Sequence, residues 1–140
     1  MIAVDSSVVV AAAVGPLDQR AAARRAIAER PLIVFHAALE AYSVLTRLPG
    51  AYRMTAADAR TFVRESCAGE PLQLDRTAAA ALLDDLATRS ILGGAVYDAV
   101  IGATAAAAGA RLLTFDDRAT RTYALVGAEV ELLPSDRGAS

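Results

Sequence analysis

The feature that most narrows the fold is a series of short, mostly apolar runs, each giving way within a few residues to a helical pattern. Ile2 to Asp5, Leu32-Ile33-Val34-Phe35, Leu112 to Phe115 and Val130 to Leu133 are too short for buried helices, so they read as strands covered on both faces. Leu72 to Leu74 supplies a further short extended piece. The first helix is Val8 to Val14, started by Ser6 or Ser7 and ended by Gly15-Pro16. Leu17 to Arg30 follows with a polar arginine side, and His36 leads into a helix that runs to Leu48 and stops at Pro49-Gly50. Thr55 and Asp58 resemble a capping box for a helix to about Cys67, with Gly69 and Pro71 beyond it. Thr77 to about Thr88, Tyr97 to Ala108 (with Gly109 in the stop position) and Arg118 to Leu125 complete the set. Strands and helices alternating in this way predict an α/β fold: a three-layer α/β/α sandwich with a central parallel sheet of about five strands.

At 140 residues and 55% hydrophobic content the chain has the size and core material of one domain, with Pro134 to Ser140 expected as a loose tail. The apolar share is high enough to suggest that a partner covers some of the surface. Asp98 and Arg111 interrupt the longest apolar stretch, so no run approaches the roughly 18 residues of a membrane span. The N-terminus lacks the pattern of a secretory signal, and the expected location is the cytoplasm. A single Cys67 excludes an internal disulfide, and Cys67 with His36 is too little for a thiolate or histidine zinc site; Cys67 is expected as a packed thiol. A net charge of −2 argues against broad electrostatic coating of nucleic acid. All fourteen basic residues are arginine, which suits phosphate recognition, although base composition of a genome explains the same bias.

Four acids occupy positions where such a fold can bring them together. In an open parallel sheet, ligands bind outside the carboxyl ends of the strands, where the strand order reverses. Asp5 and Asp116 both stand at such ends, and each has helix capping as its alternative role. Asp98 is the only charged residue among the twenty from Ile91 to Ala110, in a helix apolar or small on nearly every side. An unpaired carboxylate buried there is costly without a cation or several donors, whereas a place in the first helical turn would also suit its charge. Glu40 follows the second strand by one turn, but the stripe Ala38, Ala41, Tyr42, Leu45 and Leu48 should face the core and leaves Glu40 towards solvent. Carboxylates gathered in one pocket repel unless a metal offsets their charge, and oxygen ligands alone point to Mg²⁺ or Mn²⁺. Phosphodiester hydrolysis is the natural reaction of such a centre.

The pieces Val4-Asp5-Ser6-Ser7, His36 to Pro49 around Glu40, Tyr97-Asp98-Ala99-Val100-Ile101 and Leu112-Leu113-Thr114-Phe115-Asp116 resemble, in order and spacing, those of PIN-domain ribonucleases. More narrowly, the chain is similar over nearly its whole length to the VapC toxins of bacterial type II toxin–antitoxin systems. The resemblance implies a metal-dependent endoribonuclease whose metal ligands are Asp5, Glu40, Asp98 and Asp116, with Ser7 and Thr114 as polar support. The doubled acid Asp116-Asp117 departs from the pattern; Asp116 is assigned to the site and Asp117 placed beside it. A homodimer and a small cognate antitoxin that blocks the active site are further implications.

The mechanism expected from this is in-line attack of water on an RNA phosphate, assisted by one or two Mg²⁺ ions, with no protein nucleophile. Arg20, Arg24, Arg25 and Arg47 are candidates to hold the RNA backbone, with a solvated helix face as the plainer reading. Tyr97 could stack on a base, but the stripe Tyr97, Val100, Ile101 and Thr104 assigns it to the core. His36 reads as a capping or packing residue at a strand-to-helix junction. Rival classes fare worse. Ser7 stands where haloacid-dehalogenase-like phosphatases need a second Asp, no lysine exists for those or for receiver domains, and no glycine-rich nucleotide loop follows the first strand. Two rivals within the fold are a non-toxin PIN nuclease of RNA processing and a catalytically silent scaffold that binds RNA or protein.

Overall fold

A computed structural model describes residues 1–134. Apart from Pro134, the expected loose tail lies outside the described residues. In chain order the elements are β1 (Ile2–Val4), α1 (Ser6–Val14), α2 (Leu17–Ala28), β2 (Leu32–Ile33), α3 (Phe35–Thr46), a single 3-10 turn (Gly50–Tyr52), α4 (Ala56–Ser66), α5 (Arg76–Thr88), α6 (Ala95–Ala107), β3 (Arg111–Thr114), α7 (Asp117–Leu125) and β4 (Glu129–Leu132). All strand pairs are parallel and the order is β2-β1-β3-β4.

Among the described residues the sheet has four strands where about five were expected. The piece at Leu72 to Leu74 makes one isolated parallel bridge, Leu72 to Val34. Leu72 N–H donates to Ile33 O and Phe35 N–H donates to Leu72 O, both at 2.8 Å. The stretch is short on both sides: Pro71 before it has no N–H to offer, and Asp75 after it, accepting from Ala78 N–H, already caps α5. Helix α3 ends at Thr46, short of the expected Leu48, because a residue preceding proline resists the helical conformation.

Strands β1 and β3 form the middle of the sheet, and Val4, Leu112 and Thr114 are fully buried there. One apolar cluster joins them to Val8 and Val9 of α1, Leu45 of α3, Ile101 of α6 and Tyr123 of α7. β4 is a sheet edge, and its exposed Glu129 and Glu131 discourage pairing with another strand. Glu131 also pairs with Arg111 across the β3–β4 ladder at 3.3 Å. Parallel crossovers are right-handed, so the step from β1 to β2 carries α1 and α2 to one face, and the opposite step from β3 to β4 carries α7 to the other. Between β1 and β3 the connections therefore depart in opposite directions, which makes a crevice at the carboxyl ends of these two strands.

Glycine matters most at Gly102, where α6 and α7 meet. A Cβ there would lie 2.8 Å from Val126 Cγ2 and 2.9 Å from the Tyr123 Cα, so only a bare backbone permits this approach. Among the described residues no helix is long and apolar enough to cross a membrane.

Candidate active site

The crevice between β1 and β3 is built around Asp5. Its backbone N–H donates to Leu113 O at 3.2 Å, which carries the β1–β3 ladder to the very end of the strands. The Asp5 carboxylate is 2% exposed and accepts four hydrogen bonds, two at each oxygen. Oδ1 takes the Ser7 N–H at 3.0 Å and the Ser7 hydroxyl at 2.5 Å. Oδ2 takes the Thr114 hydroxyl at 2.5 Å and the Tyr123 hydroxyl at 2.9 Å. Asp5 is thus also the N-cap of α1, a role for which Ser6 and Ser7 were the first sequence candidates.

The hydroxyls that serve Asp5 also hold the opposite strand end. Phe115 N–H donates to Ser7 Oγ and Asp116 N–H donates to Thr114 Oγ1, each at 2.9 Å. The turn after β3 is consequently fixed to the turn after β1 by side chains, and both turns keep their acids at one edge. Asp116 caps α7, its Oδ1 accepting from Arg118 N–H at 3.1 Å and Ala119 N–H at 3.4 Å. Asp117 is the first helical residue and is exposed, so the capping role falls to Asp116.

Glu40 and Asp98 approach from α3 and α6. Glu40 is not the freely solvated residue its helix phase suggested: its side chain is 39% exposed, yet Oε1 is closed off from solvent and lacks a hydrogen-bond partner. His36 Nε2 is 3.4 Å from that oxygen, near enough to pair electrostatically but outside hydrogen-bonding geometry. Asp98 is half-buried and sits in the first turn of α6, where unpaired backbone N–H groups favour its charge.

Burial pushes all three of Asp5, Glu40 and Asp98 above the ordinary carboxylate range. At Asp5 the donors from Ser7, Thr114 and Tyr123 oppose that push. At Asp98 the charges of Asp116 and Asp5 add to it, and at Glu40 those of Asp98 and Asp5 do, while His36 works against it in both cases. The charges of Asp5 and its neighbours therefore reach Glu40 and Asp98 through space. Among the described residues, however, no three His, Cys, Asp or Glu side chains are arranged to hold a metal ion. The donor set fits a hard cation in kind, being all oxygen, and Glu40 Oε1 is a buried acceptor without a donor. Asp5, with both oxygens engaged, could serve as a ligand only by sharing one with an existing donor.

Tyr123 is the residue that sequence reading missed. It is 2% exposed, and its position beside the acids raises the phenol pKa well above the usual value, through burial first and then the Asp5 charge. Its signal was a tyrosine on the apolar face of a short amphipathic helix, since a buried phenol needs a partner for its O–H. Tyr97 departs from expectation in the opposite sense. It is 56% exposed instead of core, because α6 turns this residue outward beside the start of α3, where it stacks on His36 with ring centroids 5.3 Å apart and planes 2° from parallel. Tyr42, expected in the core stripe of α3, is 38% exposed. Two of the arginines proposed for RNA do structural work: Arg20 Nε donates to Gly15 O and Arg24 Nε to Ala12 O, both at 3.1 Å, which satisfies carbonyls at the end of α1. Cys67 is packed as expected, and burial pushes its thiol up to about 11.

The PIN domain family matches residues 2–125. Ribonuclease VapC40 of Mycobacterium tuberculosis (strain CDC 1551 / Oshkosh) is 43% identical over 133 residues, covering 95% of this chain and 99% of the relative. The protein of the same name from strain ATCC 25618 / H37Rv has the same identity and coverage. Ribonuclease VapC27 of that strain is 44% identical over 95 residues, 68% of this chain and 69% of the relative. No solved structure gives a significant match.

Proposed function

The chain belongs to the PIN-domain family, and from that premise we propose that it is a Mg²⁺-dependent endoribonuclease, the toxin of a type II toxin–antitoxin module. It would act as a single cytoplasmic domain that hydrolyses RNA phosphodiester bonds, with Mn²⁺ as a possible substitute ion. The observation that carries the reading is the setting of Asp5, a buried carboxylate at the strand-order reversal whose charge adds to the effect of burial in raising the proton affinity of Glu40 and Asp98, as that of Asp116 also does at Asp98. No lysine exists in the chain to offset this charge, and Arg118, the closest guanidinium partner of Asp116 at 4.0 Å, has a side chain that is 96% exposed. Such a cluster is unfavourable by itself and is relieved by a divalent cation.

The residues that would hold the ion are Asp5, Glu40, Asp98 and Asp116. When bound, it would supply an acidified water and offset charge on the phosphate oxygens. Ser7, Thr114 and Tyr123 orient the Asp5 carboxylate, and the bonds of Ser7 and Thr114 to the backbone at Phe115 and Asp116 set the spacing of the two strand ends. Asp117 lies next to this edge, exposed, in a supporting position. A homodimer and a cognate antitoxin are part of the proposal, and exposed Leu17, Leu83 and Leu92 are apolar surface available to such partners.

The full occupation of the Asp5 oxygens favours one alternative, a silent scaffold that binds RNA or protein without cutting. Calorimetry with Mg²⁺ or Mn²⁺, together with cleavage of total RNA, decides between them. Metal binding and cleavage by the wild type, both lost in Asp98→Asn, are expected. Cleavage at the wild-type rate by Asp98→Asn, or no metal binding by the wild type, would exclude the metal-centre assignment.

A further inference from the structure

We propose that Tyr97 is a stacking platform for an RNA base beside the scissile phosphate, held flat by His36; the idea rests on the ribonuclease reading above. Tyr97 immediately precedes Asp98, and His36 lies 3.4 Å from Glu40, so the aromatic pair borders the acids from two elements at once. The two rings are parallel within 2°. His36 covers part of the tyrosine and fixes its plane, while more than half of Tyr97 remains open to solvent. An exposed aromatic ring whose orientation is already set loses little freedom when a flat ligand lands on it.

The electrostatics explain why such a contact is needed at this position. A cluster of carboxylates repels the phosphate backbone, the chain as a whole carries −2, and two of the arginines on α2 are engaged with the end of α1. An uncharged contact adds affinity next to the acids without depending on that charge balance. Base–aromatic stacking is uncharged, tolerates any base, and contributes roughly 1–3 kcal/mol per base. The tyrosine hydroxyl is not required for it, so the ring and not the O–H carries the prediction.

The test uses a labelled single-stranded RNA that the wild type cleaves, and versions of it with an abasic residue at each position flanking the cut. Tyr97→Leu is expected to raise KM, and the dissociation constant measured by fluorescence anisotropy in Ca²⁺, by about 5- to 150-fold, the equivalent of one stacked base. Tyr97→Phe should stay near wild type, and the melting temperatures of all three proteins should agree, since the side chain is exposed. One abasic position should weaken wild-type binding by a similar factor and leave Tyr97→Leu unchanged. Cleavage by Tyr97→Leu with unaltered KM would overturn the proposal and leave the ribonuclease reading intact. RNA binding by the wild type without cleavage, weakened in Tyr97→Leu, would do the reverse. A Tyr97→Leu protein whose only change is a shift from dimer to monomer in sedimentation would assign the ring to a protein interface and also reject the stacking role.

Discussion

Replacing Tyr123 with phenylalanine isolates one hydrogen bond in the buried network. The ring and its packing against Gly102 and the core are retained, and only the hydroxyl that donates to Asp5 Oδ2 at 2.9 Å is lost. Both residues are 2% exposed, so no water replaces the donor without rearrangement. A hydrogen bond to a charged group is worth about 1.5–3 kcal/mol, against about 1 kcal/mol for a neutral pair. At a pH where Asp5 is ionised, Tyr123→Phe should thus cost about 1.5–3 kcal/mol, or a fall in Tm of about 5–10 °C for a chain of this size. The sign with pH follows from which form the donor favours. Tyr123 stabilises the carboxylate, so removing it moves an already raised Asp5 pKa higher. The deficit of the variant is complete above that raised pKa and shrinks to about 1 kcal/mol or less as pH falls through it. Urea denaturation of both proteins in EDTA, at the alkaline end and at the acid end of the range in which they stay folded, measures the two values. A deficit that is absent, or equal at both pH values, would refute the assignment of this hydroxyl to the ionised Asp5.

Three other outcomes are expected. Gly102→Ala should destabilise by about 1–3 kcal/mol, because its methyl would meet Val126 and the Tyr123 backbone within 3 Å and force α7 away; chemical denaturation measures this, and an unchanged midpoint would mean the helices separate freely. Thr114→Val removes a donor from Asp5 and an acceptor from the Asp116 N–H together, so metal affinity in calorimetry should drop by about 10- to 100-fold, as for loss of an outer-shell partner. The metal-free protein should be more stable near pH 5 than near pH 7.5, roughly, because Asp5, Glu40 and Asp98 all have raised pKa values and the folded chain holds protons that the unfolded chain has released. Stability contributed by those protons is lost as pH rises through the folded pKa values, and Mg²⁺ at the higher pH should restore it; a Tm that falls steadily on acidification would contradict the scheme.

What the sequence made legible was whatever depends on local pattern. Strands β1 and β3 are apolar runs bounded by acids, and their ends put Asp5 and Asp116 at one sheet edge before any coordinates are considered. The expected strand at Leu72 contracted to one bridge in the three-residue stretch between Pro71 and the Asp75 cap. Helical periodicity identified faces but not the neighbours those faces meet. Tyr97 shares a stripe with buried Ile101 and Thr104, yet it lies beyond the packed part of that stripe and finds only His36. Glu40 points away from the stripe of α3, and it is the neighbouring elements that enclose one of its oxygens. Tyr123 was legible only as a buried phenol in need of some partner; which partner was not, because it lies 118 positions earlier, far outside the nine-residue helix.

That separation has a consequence for how the molecule comes into being. During synthesis Asp5 leaves the ribosome early, and β1 can pair with β2 as soon as the first 33 residues are free. The donors from Thr114 and Tyr123 lie 109 and 118 positions after Asp5. Until β3 arrives, β1 is an edge strand and its terminal carboxylate faces water with Ser7 alone. A nascent or truncated chain that stops before Thr114 carries three of the four acids but not the setting that holds the first of them. The carboxylate network thus closes only once Tyr123 has been added, and any chemistry that depends on that network waits until then.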